Sequence, residues 1–506
     1  MIKRIFKMFA ALGTSIGLNL VLQLLLPPTF IHFYGIKRYG EWLVLSATVS
    51  YLGTLNFGIT TYASNHLTML RKRGEMAAYR ELQGSTLAML LGMIAIGLVI
   101  ASSVFLMPLT RLLHLSTITR VDAVVTVFFL GLLAMTNIFA GYYNNLYMVI
   151  QESHRGMVWY TARWVSSSMI CVPLALLRVP FSVLAICQFS VALLITLFTV
   201  LDLKRRMNHL PLGLHGANWK TAKASFAPSG MFAMIFTQQF LLFQAPVIML
   251  NWLLGSEVVV LFTICRTIFS TARQMLQVIT NAIAPEITFS YAEGDMKKLL
   301  NIFHYSETVV FSIIPIANAG AFLFSPILLA IWLHKPFLFD PFTYGLMALI
   351  SGAMSMRDHK QFFQFSTNTH KRLSMIVFFG NLMMIATSIP FTMKFGLHGF
   401  MFVWLTSELL QMGLIYQENK KLFLNDPSIN FIPVLRLALV MLVSMPICVG
   451  LVHFGQQRSL GIVGIAAVAG MTMLIAESYF VFGFKDVVDL IQNRMRRKVA
   501  SETSEA

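Results

Sequence analysis

Acidic residues are scarce in this chain. Only 21 of its 506 residues are Asp or Glu, and charged residues of both signs make up 12%, about half of the roughly 25% usual for soluble globular proteins. That shortage excludes an ordinary water-soluble domain. Cysteine is scarce too: Cys171, Cys187, Cys265 and Cys448 are the only four, all within apolar runs and without metal-ligand spacing. Neither a disulfide framework nor a zinc or other metal site is expected. No GxxxxGK[ST] loop occurs, which excludes ATP hydrolysis through a P-loop. Long polar stretches are missing as well. The longest connections, near 65–83 and 204–226, are short and basic, leaving no room for a soluble catalytic domain. The chain reads as a non-enzyme without a cofactor.

What is present is hydrophobic length. Apolar residues make up 57% of the chain and its mean hydropathy is +0.72. Runs of about 20 apolar residues suffice to cross a bilayer as helices, and about fourteen such runs predict an all-α, polytopic membrane protein. The opening "MIKRIFKMFAALGTSIGLNLVLQLLL" has a basic head like a signal peptide, but it runs on too long and lacks a small-x-small cleavage site. It is read as the first span.

The net charge of +17 invites a nucleic-acid reading, but the basic residues alternate from loop to loop. Lys3, Arg4 and Lys7, then Arg71, Lys72 and Arg73, then Lys204, Arg205 and Arg206 fall on one side, and the loops between them are poor in Lys and Arg. This follows the positive-inside rule and places both termini in the cytoplasm. The charge is topological, and no nucleic-acid partner is expected.

The loop "KRRMNHLPLGLHGANWKTAKASF" divides the runs. Residues 1–203 read as an N-terminal six-helix bundle, 204–226 as a basic cytoplasmic linker, 227–418 as a second six-helix bundle and 419–483 as two accessory transmembrane helices. The tail, 484–506, reads as a basic amphipathic segment on the inner leaflet. Transporters often contain repeated halves. An internal echo supports this: "YGEWLVLSATVSYLGTLNFGITTYAS" leads to "RGEM", and "GSEVVVLFTICRTIFSTARQMLQVIT" leads to "EGDM".

Several spans carry polar stripes. In the eighth span Arg266, Ser270, Arg273, Gln277 and Asn281 recur at helical spacing and share a face. An arginine at the bilayer centre costs about 2.5 to 3.5 kcal/mol on insertion scales, so it faces a bundle interior or wet cavity. Pairing with Glu286 or Glu307 is the alternative. Weaker stripes place Asn19 and Gln23 in the first span, Asn137, Gly141 and Asn144 in the fourth, and Gln238 and Gln244 in the seventh. Interhelical hydrogen bonding explains any one of these alone. Arg163 is a further cavity candidate, although it, Arg357 and Lys360 stand near span ends, where snorkelling is the default. Glu408 and Glu477 are intramembrane candidates for an ion-coupling carboxylate. Pro27, Pro28 and Pro246 are expected to bend the first and seventh spans at comparable places.

The stretch "LPPTFIHFYGIKRYGEWLVLSATVSYLGTLNFGI" resembles the opening of Wzx-type flippases of the multidrug/oligosaccharidyl-lipid/polysaccharide exporter superfamily: a proline-containing first helix, a YG-E/W turn and an L-x-x-G element at Leu55 to Gly58. "LLGSEVVVLFTICRTI", "STNTHKRLSMI" and "KFGLHGFMFVWL" extend the resemblance through most of the chain. It implies two six-helix bundles around a central cavity, with cationic residues near a lipid pyrophosphate. Fourteen spans resemble the lipid II flippase architecture more than the twelve often assigned to O-unit flippases.

The expected function is therefore translocation of a polyisoprenyl pyrophosphate-linked oligosaccharide, such as an O-antigen unit, across a bacterial inner membrane by alternating access. The lipid tail stays in the bilayer, while the anionic head needs a substitute for water. The expected partners are that lipid-linked sugar and membrane lipids, with a polysaccharide polymerase and other assembly proteins as candidates. The alternatives are a cation-coupled multidrug exporter of the same fold, a major-facilitator carrier, and a membrane glycosyltransferase or polysaccharide polymerase.

Overall fold

The computed structural model describes residues 2–56, 59–207, 212–367, 369, 371–456 and 460–481. The expected tail helix, 484–506, lies outside them. Among the described residues there are helices and no strands, and the chain divides into two compact units, Met1–Phe262 and Thr263–Ala506.

The first unit contains α1 (Ile2–Tyr34), α2 (Ile36–Ser50), α3 (Ile59–Arg73), α4 (Met76–Ser102), the short α5 (Leu109–Leu112), α6 (Arg120–Leu146), α7 (Ser153–Met169), α8 (Cys171–Leu176), α9 (Phe181–Arg206), α10 (Trp219–Phe243) and α11 (Ala245–Leu254). Helix α12 (Ser256–Ala292) leads into the second unit, which holds α13 (Met296–Leu328), α14 (Pro341–Ser366), α15 (Lys371–Leu422), α16 (Ile432–Gln456) and α17 (Leu460–Val481). The long α15 is two helices joined at Gly396, whose φ of 62° breaks the helical backbone. With the four-residue α5 set aside, α2–α3, α7–α8 and α10–α11 each taken as one interrupted rod and α15 as two, the helices of the described residues supply the fourteen expected rods. Eight helical segments among the described residues are long and apolar enough to cross a membrane by length and composition alone. The rods that fall short include α7, α12 and α14, which carry the polar side chains described below; spans facing a hydrated interior are less apolar than spans facing lipid.

The sequence echo has a backbone counterpart. Gly74 and Gly294 have φ of 75° and 72° and end their helices with matching hydrogen bonds. Gly74 N donates to Arg71 O and Gly294 N to Tyr291 O, Glu75 N to Leu70 O and Asp295 N to Ser290 O, and Met76 N to Gly74 O and Met296 N to Gly294 O. Only glycine adopts this left-handed conformation freely, which is why it closes both helices. Gly35 and Gly255, also at positive φ, stand the same distance before each turn.

The YG-E/W stretch differs from its expectation. Tyr39, Gly40, Glu41 and Trp42 are buried inside α2 and form no turn. Gly40 serves close packing, since a Cβ there would overlap the carbonyl of Ser256. Buried Glu41 accepts hydrogen bonds from Ser116 N at 2.7 Å, Thr117 N at 2.9 Å and Thr117 Oγ1 at 2.6 Å, tying α2 to the loop before α6. The basic linker is also anchored: Asn218 N donates to Ser85 Oγ at 2.9 Å and Gly213 N to Gln83 Oε1 at 3.3 Å. Of the prolines, Pro246 stands at the break between α10 and α11, whereas Pro27 and Pro28 lie within the single helix α1. In the second unit the α16–α17 pair packs on α13, with Gly320 against Met471 and Gly470 against Leu323.

Candidate functional site

In the first unit α6 and α7 build a cavity of about 640 Å³. Asn137, Gly141, Asn144 and Asn145 recur at helical spacing and share one face of α6, and Tyr160, Arg163 and Trp164 line the opposite wall from α7. The helices meet closely at Gly156, where a Cβ would overlap the carbonyl oxygen of Asn144. Arg163 lies about 15 Å along α7 from its start, so it does not snorkel to an end; it is 2% exposed. Its guanidinium sits 5.7 Å from the Tyr160 ring centroid, and its Nε and one terminal nitrogen have no hydrogen-bond partner. Both amide atoms of buried Asn144 are likewise unpartnered. Among the described residues no carboxylate lines the cavity.

A buried arginine without a counter-ion is expensive, because the desolvation of its charge is not repaid by a partner. The cavity therefore offers positive charge and unused hydrogen-bonding groups to an anion. Arginine suits phosphate in particular, since its planar fork donates two parallel bonds.

The second unit treats its charges differently. Arg273 of α12 lies 3.7 Å from Asp358, and Gln277 Nε2 donates to the same carboxylate at 3.2 Å. Two members of the eighth-span stripe, Arg273 and Gln277, thus converge on one carboxylate, Asp358. Of the two acids considered from the sequence, Glu286 pairs with Lys298 and Glu307 with Lys360. Arg266 is half-buried on the same helix, and the side chain of Asn281 lies outside the described residues.

Asp358 belongs to a run of four ionisable residues, Arg357 to Lys360, whose side chains reach three neighbouring helices. Arg357 meets Glu408 of α15 at 2.6 Å, and Trp404 Nε1 donates to the other Glu408 oxygen at 3.0 Å. Asp358 reaches α12, His359 Nε2 lies 2.9 Å from Ser306 Oγ of α13, and Lys360 pairs with Glu307 of α13 beneath the Phe303 ring. Arg357 and Lys360 are 3% and 0% exposed, so neither snorkels. Sequence reasoning passed over Asp358 and His359; four consecutive ionisable residues in a chain so poor in charge were the available signal.

The remaining candidates are dispersed. Gln23 Nε2 donates to Asn19 Oδ1 at 3.1 Å along α1. Gln238 is buried in α10, and Gln244 caps the junction of α10 and α11. Glu477 accepts a bond from Ser444 at 2.8 Å between the accessory helices.

No family model and no curated protein matches the sequence. Solved structures do. An inward-facing multidrug-resistance MATE transporter of the MOP superfamily matches with a TM-score of 0.64 and 12% identity, over 80% of this chain and 94% of that one. The chain shares the fold of that transporter. The lipid II flippase MurJ, in an inward closed conformation, also matches with a TM-score of 0.64, at 10% identity, over 95% of this chain and 99% of that one. A MOP superfamily transporter from Pyrococcus furiosus, described by a reverse polarity of its binding pocket, matches at 0.54 and 12% identity, over 83% and 95%. Fold and helix content make the protein a multi-pass membrane protein, and these structural neighbours are transporters and flippases.

Proposed function

We propose that the protein is a flippase that moves a polyisoprenyl pyrophosphate-linked oligosaccharide, of the O-antigen or a similar cell-surface type, across the bacterial inner membrane by alternating access, with both termini cytoplasmic. The observation that carries this reading is the cavity, lined by no carboxylate among the described residues, in which two buried guanidinium nitrogens of Arg163 have no hydrogen-bond partner. A site of that polarity favours the phosphates of an anionic lipid and repels a cationic drug. The match to a lipid II flippase over nearly the whole of both chains gives it a second support. A polysaccharide polymerase and other assembly proteins would use the delivered sugar.

A cation-coupled exporter needs a carboxylate available to a cation. In the second unit Glu307, Asp358 and Glu408 are each held by a basic side chain, which disfavours that alternative; Glu477 remains the candidate for a coupling ion.

Deleting the gene in its native host, with the later sugar pathway blocked for viability, tests the reading. Lipid-linked oligosaccharide should accumulate on the cytoplasmic face and return to normal with the intact gene. Normal delivery to the outer face in a strain lacking any redundant flippase would reject it.

A further inference from the structure

Phosphate binding accounts for Arg163 but leaves the rest of the cavity wall unexplained. Three asparagine side chains, Asn137, Asn144 and Asn145, enter from α6, and Trp164 enters from α7. Amides both donate and accept hydrogen bonds, and a phosphate has little use for the donor-acceptor pairs that they supply. Sugar hydroxyls, which also donate and accept, match them. The indole gives an apolar face against which the C–H face of a sugar ring can pack. A volume of about 640 Å³ falls in the range of about 300 to 1,000 Å³ typical of small-molecule sites. It accommodates a sugar or two with attached phosphate, not a long glycan. Among the glycines of this wall, a Cβ at Gly141 would meet nothing within 4 Å, so the open space lies beside the asparagine face.

We propose that this cavity is a sugar 1-phosphate subsite. Arg163 takes the phosphate next to the anomeric carbon, Asn144 and its neighbouring amides take the hydroxyls of the first sugar ring, and Trp164 packs against that ring. The inference rests on the anionic-lipid reading above and deepens it: the protein reads the junction between phosphate and sugar, so that a bare polyprenyl phosphate is a poorer cargo than a glycosylated one.

The test uses the full chain purified in detergent and equilibrium dialysis against three labelled probes: glucose 1-phosphate, inorganic phosphate and glucose. Glucose 1-phosphate should bind at least about tenfold more tightly than either fragment, since each fragment leaves part of the wall unpartnered. Trp164→Leu and Asn144→Ala should lower glucose 1-phosphate binding towards the inorganic phosphate value and leave inorganic phosphate binding unchanged. Arg163→Gln should abolish the preference for the phosphorylated sugar over glucose. Gly141→Val, which fills open space in the wall, should weaken glucose 1-phosphate alone and guards against misfolding of the other variants. Equal binding of glucose 1-phosphate and inorganic phosphate would overturn the sugar subsite and leave the anionic reading standing. Equal binding of glucose and its 1-phosphate, or no binding of any probe, would overturn both.

Discussion

Two buried arginines show how the same residue type serves different ends. Arg357 forms an ion pair with Glu408, whereas among the described residues no carboxylate lines the cavity that holds Arg163. Removing one partner of a buried pair strands the other and costs about 3 to 5 kcal/mol. Arg357→Met should therefore lower the thermal unfolding midpoint in detergent markedly. Arg163→Met strands no carboxylate and should leave the midpoint equal or higher while transport falls; a large loss of stability on this change would make Arg163 structural. The sequence exposed the α12 stripe because helical spacing is local. It hid Asp358 because the carboxylate comes from a helix far along the chain. It undervalued Arg163 because proximity to a span end says nothing about which way a side chain turns, and only the close approach of α6 and α7 at Gly156 encloses it.

Helix ends and helix contacts make distinct demands on glycine. Gly74 and Gly294 sit at positive φ, where a Cβ costs about 1 to 2 kcal/mol. Gly74→Ala and Gly294→Ala should each destabilise by that amount in denaturation experiments. Gly141 is within the helix and faces open space, so Gly141→Ala should stabilise by up to about 1 kcal/mol through helix propensity. The repeated Gly-acid-Met turn was legible because turn chemistry is written in a few adjacent residues. The role of Gly40 was not, since the carbonyl it must accommodate lies on another helix.

The loop before α14 gives a prediction in pH. Partial burial pushes the Asp340 carboxyl up, but hydrogen bonds from the Thr343 side chain and backbone, together with His398, outweigh it and hold the pKa below its usual value. A lowered folded pKa contributes stability above about pH 4, and that contribution is lost as pH falls through the folded value. The stability difference between the wild type and Asp340→Asn should be present at pH 6 and disappear on acidification, with a small amplitude because the site is half-exposed.

For the whole molecule, composition disclosed a polytopic all-α protein, and fourteen apolar runs became fourteen helical rods because hydrocarbon forces every backbone group to be satisfied within its own helix. Cargo is not legible at that level, since a fold hosts many functions and only a site distinguishes them. The account rests on one site, so its most direct test is reconstitution of the purified chain in vesicles carrying a fluorescent polyprenyl pyrophosphate-linked sugar in one leaflet, with membrane-impermeant quenching to follow its transfer. Wild-type protein should equilibrate the lipid between leaflets and Arg163→Gln, inserted to the same level, should not. Equal transfer by the two proteins, or transport of a lipophilic cation in place of the lipid-linked sugar, would contradict the anionic-cargo account.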